Sequence, residues 1–302
     1  MGNTLSWGSL LPTPQGVMDT MNFWLPTVVV FSGNFLFFFW CQYKKDNSWI
    51  DAFWGLSFLF PNLALVIKRY ADSGSVNPDI RCWVIVGLIA VWSMRLSIHI
   101  GLRHKGEDYR YVDMRRDWMA KGGYSGYLWR AFVYIFMLQA GFSLICNSAA
   151  LYVNIYSNST YLIWLDWVGM AVWAFGFGFE VIGDYQLKTH IADKTPGKKK
   201  FINSGLWRFT RHPNYFGEAV SWWGIYLIAC GIERGWATFF APIFITLMVR
   251  FVSGVPLLEK KYTGNPEWEA YCQQVNVFVP WFPTKRSQTQ LESGVLSIEP
   301  AD

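Results

Sequence analysis

The sequence predicts an all-α, polytopic membrane bundle of about seven transmembrane helices, and three observations carry that prediction. Of the 302 residues 52% are apolar and 19% aromatic, with 18 Trp, while only 16% are charged, against roughly 25% charged in ordinary globular proteins. Apolar stretches near the roughly 20 residues that a helix needs to cross the hydrocarbon core recur along the chain. Lys and Arg crowd into alternate connections between those stretches, as the positive-inside rule requires of a multi-pass protein. The same composition excludes a disordered chain, a disulfide scaffold and a nucleic-acid module. A net charge of +5 on so apolar a chain belongs to loops at a membrane surface, so the lipid bilayer is the expected partner and nucleic acid is not.

The stretches fall, in order, at about 22–41, 49–67, 82–101, 128–152, 161–182, 213–232 and 236–257. Pro61 and Pro242 interrupt two of them, which membrane helices tolerate better than soluble ones. Gly176 and Gly178 lie within the fifth and read as packing glycines, and Pro213 suits the first turn of the sixth. The connections before the first stretch and after the second, fourth and sixth hold 4 Lys and Arg; the other four hold 19, and Arg95, Arg130 and Arg250 lie within or at the ends of stretches. The N-terminus is therefore expected outside and the C-terminus on the cytoplasmic or matrix side. Residues 1–284 read as one transmembrane domain, and 285–302 as a polar, disordered tail.

Smaller motifs are weighed against that orientation. Met1-Gly2-Asn3-Thr4-Leu5-Ser6 fits the myristoylation pattern, but an N-terminus that crosses the membrane is a poor substrate for a cytosolic acyltransferase. The first 20 residues carry no Lys or Arg, so the first stretch is expected to serve as the targeting signal. Asn158-Ser159-Thr160 is a glycosylation sequon in a short outer loop. The endoplasmic reticulum is favoured over the mitochondrial inner membrane. Cys41, Cys82, Cys146, Cys230 and Cys272 are widely spaced and read as small apolar residues, with neither a disulfide framework nor a metal site.

Ionisable groups inside a bilayer are costly and point to function. Asp51, Arg95, His99, Glu180, Asp184, Glu218 and Arg250 fall in the inner half of the membrane or at its inner edge, and Asp166 in the outer half. Arg95 and His99, Glu180 and Asp184, and Asn214 and Glu218 are each four apart, so each pair shares a helix face. A cavity open to the cytoplasm or matrix is the economical explanation; structural salt bridges and helix caps are the plain one. Residues 102–127 and 183–212 form two large basic inner loops. Arg208 and Arg211 before Pro213, at the positive end of a helix, suit a phosphate-bearing ligand. The run Lys198-Lys199-Lys200 reads as contact with anionic headgroups. No nucleotide-binding glycine motif follows a strand, so a dinucleotide must be held without a Rossmann fold.

The segment Gly205-Leu206-Trp207-Arg208-Phe209-Thr210-Arg211-His212-Pro213-Asn214-Tyr215-Phe216-Gly217-Glu218, followed by Trp222-Trp223-Gly224, resembles the signature of the steroid 5α-reductase superfamily, in particular its 3-oxo-5α-steroid 4-dehydrogenase-like branch. The resemblance extends to Asn47–Asp51, Trp92–Ser97, Glu107–Tyr111, Glu180–Leu187 and Glu269–Pro280. It implies a seven-helix membrane reductase that binds NADPH and reduces an activated C=C bond in a lipid or steroid-like, hydrophobic small molecule. Carried over by position, Asn214 and Glu218 hold the nicotinamide end, Asp184 binds cofactor with Glu180 where relatives have Asn, and Arg95 meets the cofactor. Arg103, Arg208 and Arg211 are phosphate partners by proximity, and His212 and Tyr215 complete the cofactor set. The chain departs from the family in its second stretch. Steroid-reducing members carry a Gln-Glu pair there that polarises the substrate carbonyl with a Tyr, whereas this chain has only Asp51, leaving Tyr109, Tyr111, His99 and Asp51 as candidate proton donors.

Arg211-His212-Pro213-Asn214-Tyr215 also resembles the Arg-His-Pro-x-Tyr element of membrane methyltransferases that use S-adenosylmethionine. The Asn-Tyr-Phe-Gly-Glu and Asp-Tyr-Gln-Leu segments fit the reductases better. A non-catalytic subunit that keeps the fold as part of a larger complex is the third reading, and protein partners are not legible.

Overall fold

The computed structural model describes residues 14–73 and 79–284, with side chains over 23–72 and 79–284. The myristoylation-like motif and the polar tail lie outside the described residues. All regular structure among the described residues is helical. Among the described residues six helical stretches are long and apolar enough to cross a membrane: Phe23–Lys44, Trp49–Asp72, Ile80–Arg103, Tyr109–Tyr156, Trp164–Ala192 and Gly235–Tyr262. The chain is thus a multi-pass integral membrane protein. The remaining apolar stretch of the sequence forms a helix of 17 residues, Pro213–Ala229, about 25 Å long at 1.5 Å per residue and short of the roughly 30 Å hydrocarbon core.

The chain divides into two compact units, residues 1–170 with 225–241, and residues 171–224 with 242–302. In the first, α2 (Trp49–Ser73) packs against α1 (Pro14–Lys44), α3 (Ile80–Arg103) and α5 (Leu138–Tyr156). Polar contacts between helices hold it together, as expected where hydrocarbon removes the hydrophobic drive for helix association. Asn62 on α2 donates to Asn147 Oδ1 on α5 (3.0 Å), Asn154 Nδ2 donates to Asn62 Oδ1 (2.6 Å), and Asn147 Nδ2 donates to the Phe58 carbonyl (3.0 Å). Asp166, alone in the outer half on sequence grounds, has a partner the sequence did not reveal. Arg81, at the start of α3, grips it through Nε (2.7 Å) and Nη2 (2.8 Å), with both side chains buried. Cys41, Cys82 and Cys146 are buried in this unit.

Residues 102–127, expected as a loop, are helical from Tyr109 onward: α4 (Tyr109–Arg130) leads through a π-helical segment, Ala131–Met137, into α5. Asp108 caps α4 by accepting from the Arg110 N–H (3.0 Å), and Arg116 lies 3.2 Å from Asp113 one turn away. The interleaved charges of this region are the signature of a solvated helix. Gly123, at φ +63°, gives the helix the bend that a residue with a Cβ resists.

In the second unit α6 (Trp164–Ala192) and α7 (Pro213–Ala229) meet backbone to backbone. A Cβ on Gly176 would fall 2.5 Å from Ser221 N and 2.6 Å from Gly217 O, and one on Gly217 would fall 2.4 Å from both Glu180 N and Gly176 O. Gly178, expected to pack as Gly176 does, has nothing within 4 Å of a Cβ, because two residues along a helix turn it to another face.

Two outcomes follow. Gly217→Ala should destabilise the protein by about 1–3 kcal/mol, since backbone atoms must yield, while Gly178→Ala should leave the melting temperature of the detergent-purified protein unchanged. Arg81→Met should cost about 3–5 kcal/mol by stranding the Asp166 charge, and the double variant Arg81→Met, Asp166→Leu should recover most of that loss in the same measurement.

Candidate functional site

The sequence places candidate site residues in both units. In the second, the chain between α6 and α7 is sewn to α6 on one side and to the C-terminal segment on the other. Gly205 takes φ +61° against the Gln186 side chain; Gln186 Oε1 accepts from the Leu206 N–H (3.0 Å), and Trp207 Nε1 donates to the Gly183 carbonyl (3.1 Å). Toward the C-terminus, Thr210 Oγ1 donates to the Phe278 carbonyl (2.7 Å) and the Arg211 N–H to the Asn276 carbonyl (2.9 Å), while Tyr271 Oη donates to the Trp207 carbonyl. The segment that carries the sequence resemblance is therefore a braced loop. It ends at Pro213, the first residue of α7, and the His212 carbonyl accepts the Phe216 N–H (3.1 Å).

That bracing sets two polar side chains in place. Asn214 Nδ2 donates to Asp184 Oδ1 (3.0 Å). Glycine enables the approach, since a Cβ on Gly183 would stand 3.0 Å from Asn214 N. Asn214 Oδ1 is buried and has no hydrogen-bond partner among the described residues. His212 stacks on Tyr215, with centroids 5.7 Å apart, and its Nε2 lies 2.9 Å from Glu259 Oε1. Arg211 Nε is 3.0 Å from that same oxygen. A carboxylate held by an arginine accepts, so Nε2 carries the proton and Nδ1, also buried and unpartnered, is an acceptor.

The remaining cofactor candidates divide. Glu180 is buried on α6, while Glu218 is half-buried on α7. Arg208 is exposed in the braced loop. Arg211 is committed to Glu259 and the Cys272 carbonyl (3.3 Å). Glu259 is the charge partner that organises His212 and Arg211.

In the first unit a dense network joins the α1–α2 turn to the α3–α4 connection, two segments that both carry the sequence resemblance. His104 Nε2 lies 2.7 Å from Asp46 Oδ2. Glu107 Oε1 accepts from the Asn47 N–H (2.8 Å) and from Arg115 Nη2 (2.6 Å), and Asn47 Nδ2 donates to Tyr127 Oη (2.8 Å). Tyr111 Oη donates to Asp51 Oδ1 (2.6 Å), and Arg110 Nη2 holds Asp51 Oδ2 (2.9 Å). Partial burial would raise the Asp108 carboxyl, but hydrogen bonds from the Arg110 side chain and backbone hold it below the usual range. Of the four residues put forward as proton donors, Asp51 and Tyr111 thus form a pair, and the hydroxyl proton of Tyr111 is committed to Asp51. Tyr109 is exposed and His99 is half-buried on α3, as is the cofactor candidate Arg95; Arg103 is exposed in the last turn of that helix. Asp46, Glu107, Arg115 and Tyr127 were not among the candidate site residues, although Glu107 opens a segment that carries the resemblance.

Residues 37–275 match the family described as protein of unknown function DUF1295, and the chain belongs to that family, within the steroid 5α-reductase-like superfamily. It is 27% identical over 270 residues to an uncharacterized protein of Schizosaccharomyces pombe, spanning 79% of this chain and 74% of that one. It is 30% identical over 105 residues to methanethiol S-methyltransferase 1 of Bradyrhizobium diazoefficiens, 34% of either chain. It is 36% identical over 81 residues to Delta(14)-sterol reductase LBR of Gallus gallus, 26% of this chain and 12% of that one. No solved structure matches.

Burial lowers the pKa of His212, and the adjacent Arg211 and Arg250 charges reinforce that against the opposing pull of Glu259. The fold therefore favours neutral imidazole, and this contribution is intact above the unfolded value of about 6.5. It is lost as pH falls from there through the lower folded value. The melting temperature should drop as pH falls below about 6.5, and His212→Gln should flatten that part of the profile.

Proposed function

We propose that the protein is a membrane-embedded, NADPH-dependent reductase of an activated C=C bond in a hydrophobic lipid-like substrate, with the nicotinamide carboxamide received at Asn214. The observation that carries the reading is the buried, unpartnered Oδ1 of Asn214, fixed in orientation by the bond of its amide to Asp184. A buried acceptor without a donor costs about 1–3 kcal/mol, which a ligand N–H recovers. The second orphaned acceptor, His212 Nδ1, extends the same requirement for donors. A carboxamide brings two N–H groups. When bound, the dihydronicotinamide supplies a hydride to one carbon of the double bond, and a proton must reach the other. Asn214 and Asp184 orient the ring; Arg208 is the cation left for the phosphates. The short similarity to a sterol reductase supports the reaction class.

A second reading rests on a specific observation as well. Acceptors beside Asp184 also suit the α-ammonium of S-adenosylmethionine, and the chain is similar to a methyltransferase over 105 residues.

Titration of detergent-purified protein with NADPH and with S-adenosylmethionine decides between them. NADPH should bind, and Asn214→Ala should weaken it about tenfold or more, as the loss of one well-placed hydrogen bond implies, without changing the helical content. Binding of S-adenosylmethionine with no response to NADPH would overturn the reductase in favour of methyl transfer. Anaerobic NADPH oxidation against a panel of enone lipids then reads the substrate.

A further inference from the structure

We propose that Lys199, Lys200, Lys260 and Lys261, with the aromatic rings beneath them, form a binding face for anionic phospholipid headgroups. The two lysine pairs are far apart in sequence, and the fold brings them together. Tyr262 Oη donates to the Lys200 carbonyl (3.4 Å), and the Tyr262 and Phe201 rings meet edge to face with centroids 6.1 Å apart. Phe201 is buried against Trp268 and Tyr271, so the plate is rigid. Lys199 Nζ stands 5.7 Å over the Phe201 ring and Lys261 Nζ 4.7 Å over the Tyr262 ring, placements that hold a cation above an aromatic surface.

All four lysines are exposed, and among the described residues none pairs with a carboxylate. Lys198, the third member of the run that the sequence assigned to headgroups, is spent internally on Asp193 (2.9 Å) and the His190 carbonyl. Glu259, beside Lys260, is neutralised by Arg211 and hydrogen-bonded by His212. The exposed acids Glu267 and Glu269 lie in the first turn of the helix Pro266–Gln274, where the helix dipole accommodates them.

Location selects the ligand. Lys199 and Lys200 follow the apolar helical stretch that ends at Ala192, and Lys260 and Lys261 lie in the last turn of the one that ends at Tyr262, so both pairs sit at the ends of helices of membrane-spanning length. Basic residues just beyond membrane helices gain affinity from an anionic leaflet additively. A soluble anion would need converging, buried donors, and the plate offers an open row of cations. None of its residues belongs to the proposed nicotinamide site, so the two proposals fail separately.

The test uses the full chain in detergent, with dioctanoyl phosphatidylserine, dioctanoyl phosphatidylcholine and inorganic phosphate as probes, read by native mass spectrometry and thermal shift. Phosphatidylserine should bind saturably and raise the melting temperature, with no response to phosphatidylcholine or to phosphate at equal concentration. The quadruple Lys→Gln variant should lose about tenfold or more in phosphatidylserine affinity, the quadruple Lys→Arg variant should keep it, and Lys188→Gln should match the parent. Should the quadruple Gln variant misfold, the pairs Lys199→Gln, Lys200→Gln and Lys260→Gln, Lys261→Gln should each lose several-fold. Unchanged affinity in the Gln variants, equal binding of phosphatidylcholine, or full competition by inorganic phosphate would overturn the proposal.

Discussion

The candidate site depends on a contact between two backbones. Where α6 crosses α7, Gly176 and Gly217 bring main chain against main chain, with the Ser221 hydroxyl beside them, and Gly183 extends the approach to the first turn of α7. With side chains of ordinary size at these positions the axes would move apart by more than the reach of an Asp–Asn hydrogen bond. Asp184 and Asn214 would then lose each other, as would Trp207 and the Gly183 carbonyl to which its indole donates. The braced loop follows from the same approach, because its anchors on one side are groups of α6. In hydrocarbon, where small residues drive helix association, a glycine contact secures the second unit and positions its chemistry at once.

The first unit solves the membrane problem differently. Its amide ladder, its Arg81–Asp166 pair and its network from Asp46 to Tyr127 spend polar groups on one another. A bilayer makes unsatisfied polar groups expensive, so such groups accumulate wherever helices need specific partners, and their number says little about ligands. The informative quantity is hydrogen-bonding capacity left unmet after the neighbours are counted. By that measure Asp51 and Tyr111, attractive in sequence for their ionisable side chains, are occupied, while Asn214 and His212 each keep a buried atom that nothing among the described residues satisfies, as Asn154 and Arg115 do in the first unit.

Much of the fold was legible. Composition and stretch length specify a helical membrane bundle because the bilayer imposes a single length scale; the boundaries were less legible, since the helical stretch holding 128–152 begins at Tyr109 and that holding 161–182 ends at Ala192. The charged region 102–127 misled because interleaved signs suit a loop and a solvated helix alike; only the spacing of Asp113 and Arg116 and the cap at Asp108 tell them apart. Pairing was less legible than location. The sequence grouped ionisable residues four apart on one helix, whereas the bonds that organise the site cross between elements: Asn214 to Asp184, His212 and Arg211 to Glu259. A periodic pattern reports which face a residue occupies and carries no information on which helix that face meets.

The donor requirement of the site also bears on the chemistry expected of its arginines. Asp184, as a carboxylate, can only accept, so the Asn214 amide must turn its NH2 toward it and its carbonyl away; the opposite rotamer would set oxygen against oxygen. Glu259, held by Arg211, must receive the N–H of His212, which leaves a lone pair on Nδ1. Both open valences therefore call for ligand N–H or O–H groups, and a phosphate, which at neutral pH offers chiefly acceptors, would meet repulsion at both. A dinucleotide that enters by its carboxamide must carry its phosphates away from this point toward a cation not already paired. Arg211 does not qualify, since its charge is consumed by Glu259. On the proposed reading, Arg208, exposed in the braced loop, is the cation open to those phosphates.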